Sequence, residues 1–280
     1  MNNILVIPKS IDHLKELLNK DIYGFIIPIK DYSIGYSFYL SIDELEDLLK
    51  GIDNKRIIIS LNKIMHNSDL LELNNIINRI KELNIDKILY YDHSVYNISK
   101  KYNILDKLVI YEEHLNTSIL SHQFYQDIGI NSSYISNDIT MNEINDIKNQ
   151  TNMTLYMTVY GYLPIFLSRR YLLTNYLEYI NHNKDSDIYY LKDDKDEYYP
   201  IYEEEYGTTI YTKEMVNLLN KIEELKIDYL VLNSFNIEEN TFNSMLDKFI
   251  NKEHIDNEYL GFLEEETIYK VKSNGGDNNA

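Results

Sequence analysis

An alternation in the sequence leaves this chain few folds to choose from. Short runs rich in Ile, Leu, Val and Tyr recur at Ile4–Pro8, Tyr23–Ile29, Arg56–Asn62, Lys87–Asp92, Lys107–Glu112, Ser133–Asn137, Met153–Tyr160 and Asp228–Asn233, with helix-period stretches between them. Several runs are apolar at nearly every position, as parallel strands covered on both faces are. Ser10 heads one helix that turns Ile11, Leu14, Leu17 and Leu18 inward. Ser41 before Glu44, and Thr140 before Glu143, have the spacing of a capping box. Residues 69–83 set Leu70, Leu73, Ile76, Ile77 and Ile80 on one stripe. Glu214–Leu225 and Glu238–Ile250 read as two further helices. The alternation predicts an α/β fold, a (β/α)8 TIM-like barrel. A doubly wound open sheet shares the pattern, but the number of strands favours closure.

One segment breaks the rhythm. After the seventh run, residues 161–212 hold a helical patch and then two Tyr-rich runs, Asp187–Leu191 and Tyr198–Tyr202, parted by a charged turn at 192–197. This predicts a β-hairpin inserted in a βα loop. In a barrel such an insertion sits at the C-terminal mouth, where chemistry is placed. The expected organisation is one barrel domain over 1–272, with the insertion at about 161–212 and a C-terminal tail at 253–272. Residues 273–280 are polar and expected to be disordered.

Composition removes several functions. The chain has no cysteine, which excludes disulfides, thiolate zinc sites, cysteine nucleophiles and cysteine-held iron–sulfur clusters. Lys plus Arg number 27 against 45 Asp plus Glu, a formal charge of −18. That charge opposes autonomous nucleic-acid binding unless a basic patch is locally strong, and no basic run exists. It favours a more basic partner. The first residues, Met1–Pro8, lack the basic region and cleavage site of a signal peptide. No apolar stretch nears the ~20 residues that span a bilayer. The expected location is therefore cytoplasmic, with no membrane partner.

Three stretches then carry a resemblance. The first is Ser60-Leu61-Asn62-Lys63-Ile64-Met65-His66-Asn67-Ser68-Asp69-Leu70 after the third strand. The second runs from Tyr160-Gly161-Tyr162-Leu163-Pro164 through Ser168-Arg169-Arg170-Tyr171 to Thr174-Asn175-Tyr176-Leu177. The third is Tyr199-Pro200-Ile201-Tyr202-Glu203-Glu204-Glu205-Tyr206-Gly207-Thr208-Thr209-Ile210, and the tail Gly261–Tyr269 is also similar. In the same order along most of the chain, these resemble the collagenase-like U-32 family peptidases. The chain departs from that pattern at telling positions. Cluster-holding cysteines are missing, a usual His-Gly reads Tyr160-Gly161, a usual Gly-Thr-His reads Gly207-Thr208-Thr209, and a usual Arg-Glu reads Asn137-Asp138.

The resemblance implies two activities, proteolysis or oxygen-independent hydroxylation of RNA or a quinone precursor. Likeness to compact, cluster-free members implies a subunit or accessory of tRNA wobble-uridine 5-hydroxylation. It further implies a longer paralogue as partner and tRNA reached through that partner; lacking cysteine, this chain is expected to hold no cofactor, and a prephenate-like acid would fit Arg169 and Arg170. The alternatives are a peptidase of unassigned mechanism and a non-catalytic barrel that binds a ligand or partner. No Gly-x-Ser-x-Gly elbow or His-Glu-x-x-His supports hydrolysis. Glu112, Glu113, His114 and His122 could meet at the mouth, though a chance cluster explains them better.

The candidate catalytic residues are His66, Asn62 and Tyr160. His66 suits acid–base work or a substrate hydrogen bond, and a loop histidine near a helix start is the plainer reading. Asn62 ends the third strand and either faces the mouth or completes a turn. Asp92, Glu112 and Asp138 also end strands, where helix caps are commoner. The candidate substrate-binding residues are Arg169, Arg170, Asn175, Tyr176 and Glu203. Only four arginines exist, and two of them adjoin. Such a pair could grip a phosphate or carboxylate, or instead bridge to Glu203-Glu204-Glu205. Tyr160, Tyr162, Tyr171, Tyr176 and Tyr179 could stack on bases, though core packing is their default.

Overall fold

The computed structural model describes residues 3–112, 116–256 and 258–264. Strands form where the apolar runs lie: β1 (Ile4–Ile7), β2 (Gly24–Pro28), β3 (Arg56–Leu61), β4 (Lys87–Tyr90), β5 (Leu108–Tyr111), β6 (Ser132–Tyr134) and β7 (Thr154–Gly161). The helices between them are α1 (Ile11–Leu17), α2 (Ile42–Leu49), α3 (Leu70–Ile80), α4 (His93–Lys101), α5 (Ile119–Asp127) and α6 (Met141–Gln150). Each of the anticipated caps is made. Ser10 accepts from the His13 amide, and both Ser41/Glu44 and Thr140/Glu143 form reciprocal capping boxes.

Past β7 the chain makes β8 (Pro164–Ser168), α7 (Leu172–Tyr179), β9 (Ile188–Lys192), β10 (Tyr198–Glu204) and β11 (Gly207–Tyr211). It then returns through β12 (Val216–Asn217) to β13 (Tyr229–Asn233) and α8 (Glu239–Asn251). β1 to β7 pair in sequence, all parallel; β13 pairs in parallel with both β7 and β1 and closes the ring. The fold is thus a closed (β/α)8 barrel.

Two layers of apolar side chains hold it. Inside the ring lie Leu5, Ile7, Ile26, Ile58, Leu89, Val109, Tyr134, Tyr156 and Val231. Between ring and helices lies a larger layer, into which α8 sends Phe242, Leu246 and Phe249 along one stripe. Emptying one such aromatic site costs about 3–5 kcal/mol.

The insertion is larger than a hairpin. β8, β11, β10 and β9 form a four-stranded antiparallel sheet in that order. The two Tyr-rich runs are its β9 and β10, joined through Asp193–Glu197. β8 escapes the sequence pattern because it is a half-exposed edge strand opened by a proline, and its pairing with β11 spans about forty residues. α7 packs its Leu173 and Leu177 on Ile201.

The expected helix over Glu214–Leu225 is corrected. Val216 and Asn217 extend antiparallel beside Gly161 and Tyr160, and a 3-10 turn follows at Leu219–Lys221. Asn217 decides this locally. Its amide donates to Tyr259 O at 2.9 Å, and its side-chain oxygen accepts from the Leu219 amide, an alternative to helix that Asn offers its neighbours. The tail folds back, with Leu263 buried and its carbonyl accepting from the Met141 amide. Tail residues 265–272, residues 273–280, Glu113 and His114 lie outside the described residues. Among the described residues no helix is long and apolar enough to cross a membrane.

Candidate binding site at the barrel mouth

The inserted sheet lies over the C-terminal ends of the barrel strands. Its β10 and β11 turn Tyr202, Glu204, Thr209 and Tyr211 toward the barrel, and Ile201, Glu203, Thr208 and Ile210 toward α7. Under it lies a recess whose lining includes Gly35, Asn62, Tyr111, Tyr134, Thr158, Thr209 and Asn233. An adjoining cleft runs past Ser136, Asn137, Asp138, Pro164 and Thr212. Recess and cleft share Tyr111, Tyr134, Thr158 and Pro164. Tyr111 and Tyr134 meet edge to face at 4.7 Å. Among the described residues, the recess wall carries no Asp, Glu, His, Lys or Arg.

Asn62 is buried at the end of β3. Its Oδ1 accepts from the Ile34 amide at 3.1 Å, and its Nδ2 donates to the Ile34 carbonyl at 3.0 Å. It therefore fixes the loop after β2 beside the mouth, with both amide ends engaged. Glu204 fastens the same loop to the insertion, accepting from the Gly35 amide at 2.7 Å and the Tyr39 hydroxyl at 2.6 Å. Burial pushes the Glu204 carboxyl up to about 7, against the pull of those two donors.

Beside the recess opens a shallower groove lined by Ile64, His66, Ser68, Leu167, Ser168, Arg169 and Arg170. The loop after β3 and the insertion thus do stand side by side. Arg169 donates from Nη1 to Ile64 O and to Asp69 Oδ2, both at 3.0 Å. Its partner is the β3 loop rather than the Glu203–Glu205 run. Burial would raise the Asp69 carboxyl, yet the His66 amide, Lys63 and Arg169 together hold it below its ordinary value. Burial lowers the Lys63 ammonium, which lies 3.9 Å from Asp69. Arg170 is exposed, and its guanidinium makes no hydrogen bond or ion pair among the described residues. His66 is exposed too, and its backbone amide donates to Asp69.

Four candidate residues take other places. Tyr160 packs outward, its ring 6.0 and 6.1 Å from those of Phe242 and Phe249. Simple alternation puts it inward with Tyr156 and Thr158. The register slips between Thr158 and Tyr160 opposite Val231 and Leu232, and one extra residue reverses the facing of the strand beyond it. Glu203 is buried to 1 % exposure and caps α7. It accepts from the Leu173 and Thr174 amides and from the Thr174 and Thr208 hydroxyls. Burial alone would raise its pKa; those donors bring it below the ordinary carboxylate value. Asn175 and Tyr176 are exposed on α7, on the side of the sheet away from the recess.

Of the candidates, then, His66, Arg169 and Arg170 share one groove, and Asn62 lines the recess next to it. Although the resemblance sets Thr209 where a histidine is usual, the sequence candidates do not include Thr209, Thr158 or Asn233. The last ends the eighth strand, a position that could have flagged it. Thr209 needs β11 to be placed, and β11 has no signature of its own. The chain offers no thiolate, so an iron–sulfur cluster of the cysteine-held kind does not fit its residues. Among the described residues no group of three or more His, Asp and Glu is arranged to hold a metal. The arrangement suits recognition of an uncharged, planar, hydrogen-bonding group in the recess and of one anionic group at Arg170.

Comparison with known proteins adds three findings. The description "Peptidase family U32" matches residues 10–258. The tRNA hydroxylation protein P2 of Bacillus subtilis (strain 168) is 26% identical over 234 residues, covering 79% of this chain and 75% of that protein. The solved U32 peptidase Mk0906 superposes with a TM-score of 0.53 at 12% identity, covering 83% of this chain and 92% of that one. At that identity the last likeness is one of fold.

Proposed function

This chain belongs to peptidase family U32, and on that footing we propose that it serves tRNA wobble-uridine 5-hydroxylation as a subunit or accessory. The observation that carries the reading is its kinship, over three quarters of both lengths, with tRNA hydroxylation protein P2. The mouth supports it. An uncharged recess with tyrosine walls suits a base splayed out of a single-stranded loop, which proteins take up by stacking and by hydrogen bonds to its edge. Arg170, in the groove next to the recess, would suit a phosphate or the carboxylate of a prephenate-like acid.

The formal charge of −18 argues for help. A longer, cysteine-bearing paralogue would supply the cluster and most of the RNA contacts, and this chain would present the substrate base. Among the described residues the recess wall has no carboxylate, imidazole, ammonium or guanidinium, which favours a presenting role over independent catalysis. A peptidase reading has less to work with. Both ends of the Asn62 amide are engaged by Ile34, and the His66 ring has no carboxylate partner among the described residues.

The test is mass spectrometry of tRNA nucleosides from a strain that lacks the gene. Loss of 5-hydroxyuridine supports the proposal, and an unchanged level overturns it. Tagged protein purified from the same cells should bring down the paralogue; recovery of the chain alone removes the subunit role.

A further inference from the structure

Strand β11 alternates across the inserted sheet. Thr208 donates to Glu203 at 2.9 Å on the α7 side, while Thr209 and Tyr211 face the barrel. Thr209 is 1 % exposed, and its hydroxyl has no hydrogen-bond partner among the described residues. An enclosed hydroxyl left so is uncommon, because the bond it would make in water is forfeited. Asn233, at the end of β13, lines the same recess. Its Oδ1 accepts from the Phe235 amide at 3.0 Å, and its Nδ2 donates to nothing among the described residues.

The other polar groups of the recess are spoken for. Asn62 is engaged by Ile34, the Tyr211 hydroxyl donates to Gly35 O at 2.7 Å, and the hydroxyls of Tyr134 and Thr158 bond to each other. Gly35 keeps the space open. It sits at φ +83°, and a Cβ there would stand 3.3 Å from Thr209 Oγ1 and 3.0 Å from the Tyr211 hydroxyl.

We infer that Thr209 and Asn233 form a seat for the neutral carbonyl head of a planar ligand, whose body lies in the adjoining cleft. A carbonyl oxygen has two lone pairs, one for the Thr209 hydroxyl and one for the Asn233 amide. Among the described residues the wall offers a carboxylate or ammonium no opposite charge, so either would be stripped of water without recompense. The recess is small, and its lining joins that of the cleft at Tyr111, Tyr134, Thr158 and Pro164. The inference rests on the proposed function only in its choice of probe.

The experiment titrates uridine into the full chain and follows the Thr209 methyl and Asn233 side-chain amide signals by NMR, with benzoate as a planar anion of similar size. Saturable shifts with uridine and none with benzoate are expected. Thr209→Val, which keeps the shape and removes the hydroxyl, should weaken uridine at least fivefold at an unchanged melting temperature. Thr209→Ser, which keeps the hydroxyl, should bind as the wild type does. Thr209→Ala takes the place of Val if that variant folds poorly. No saturable shift, equal response to benzoate, or undiminished affinity once the hydroxyl is removed overturns the seat. Normal uridine binding by Thr209→Val, with 5-hydroxyuridine lost on gene deletion, removes the seat and leaves the function. Weakened binding with 5-hydroxyuridine intact does the reverse.

Discussion

Glu203 and Glu204 are neighbours on one strand and live in opposite conditions. Glu203 faces α7 and is held ionised by amide and hydroxyl donors, below the ordinary carboxylate range despite its burial. Its contribution is present above that range and is lost as pH falls through its depressed folded value. Glu203→Gln should cost about 2 kcal/mol at neutral pH, the scale of a buried charge-assisted bond, read as a lower urea midpoint. Glu204 faces the barrel, where burial, with Asp187 and Glu205 nearby, lifts it to about 7. A raised carboxyl stabilises the fold fully below its unfolded value and loses that contribution as pH rises through 7. Wild-type stability should therefore fall relative to Glu204→Gln between about pH 4.5 and 7.5. Parallel denaturation curves in the two proteins would refute this. Single residues are unevenly legible in the sequence. Arg169, Arg170 and His66 stand out by rarity and motif, and they do share a groove. Glu203 stands out by charge, whereas what it does depends on an α7 N-terminus that no spacing announces. Buried His122 has the look of a stray ligand; it bridges Ser118 O and Ser133 Oγ inside the wall.

Among the elements, β7 shows how one residue redirects chemistry. The slip after Thr158 sends Tyr160 outward and brings Gly161 against β13. Gly161 sits at φ +122°, and a Cβ there would stand 2.4 Å from Asn233 O. Gly161→Ala should cost about 2 kcal/mol or more, from strain and a backbone clash together. It should lower the melting temperature without changing the far-ultraviolet spectrum below the transition. A wild-type melting temperature would mean that β7 and β13 can part. Barrel strands are legible because burial on both faces leaves unbroken apolar runs, and helices because their caps are local. β8 and β11 are not, since a half-exposed edge strand has no such run and its partner is distant in sequence. The helix expected at Glu214–Leu225 follows a real periodicity that meets a stronger competitor. Asn217 and the end of β7 beyond its pairing with β6 offer Val216 burial in extended form, with Leu218 buried where the 3-10 turn begins.

For the molecule entire, charge is the governing quantity. At −18, the isolated chain should retain little tRNA on a filter at physiological salt, where nonspecific binding needs cations to displace counterions. Retention should appear with the paralogue and fall steeply as salt rises. Tight, salt-insensitive binding by the chain alone would contradict the proposed division of labour. The closed ring itself is the most legible feature, because eight runs of the right length leave few other ways to bury them.

The excursion that roofs the mouth begins and ends at one place. Val216 pairs with Gly161, and the Thr212 amide donates to Leu163 O at 2.8 Å. The lobe is therefore a cassette hung on adjacent stems, and removing it leaves almost no gap to close. A version in which residues 162–215 give way to a tight turn should still fold as a barrel, with cooperative melting. Failure to melt cooperatively would show that the roof also braces the walls. A scaffold so arranged can trade its ceiling for another while its foundations stay as they are.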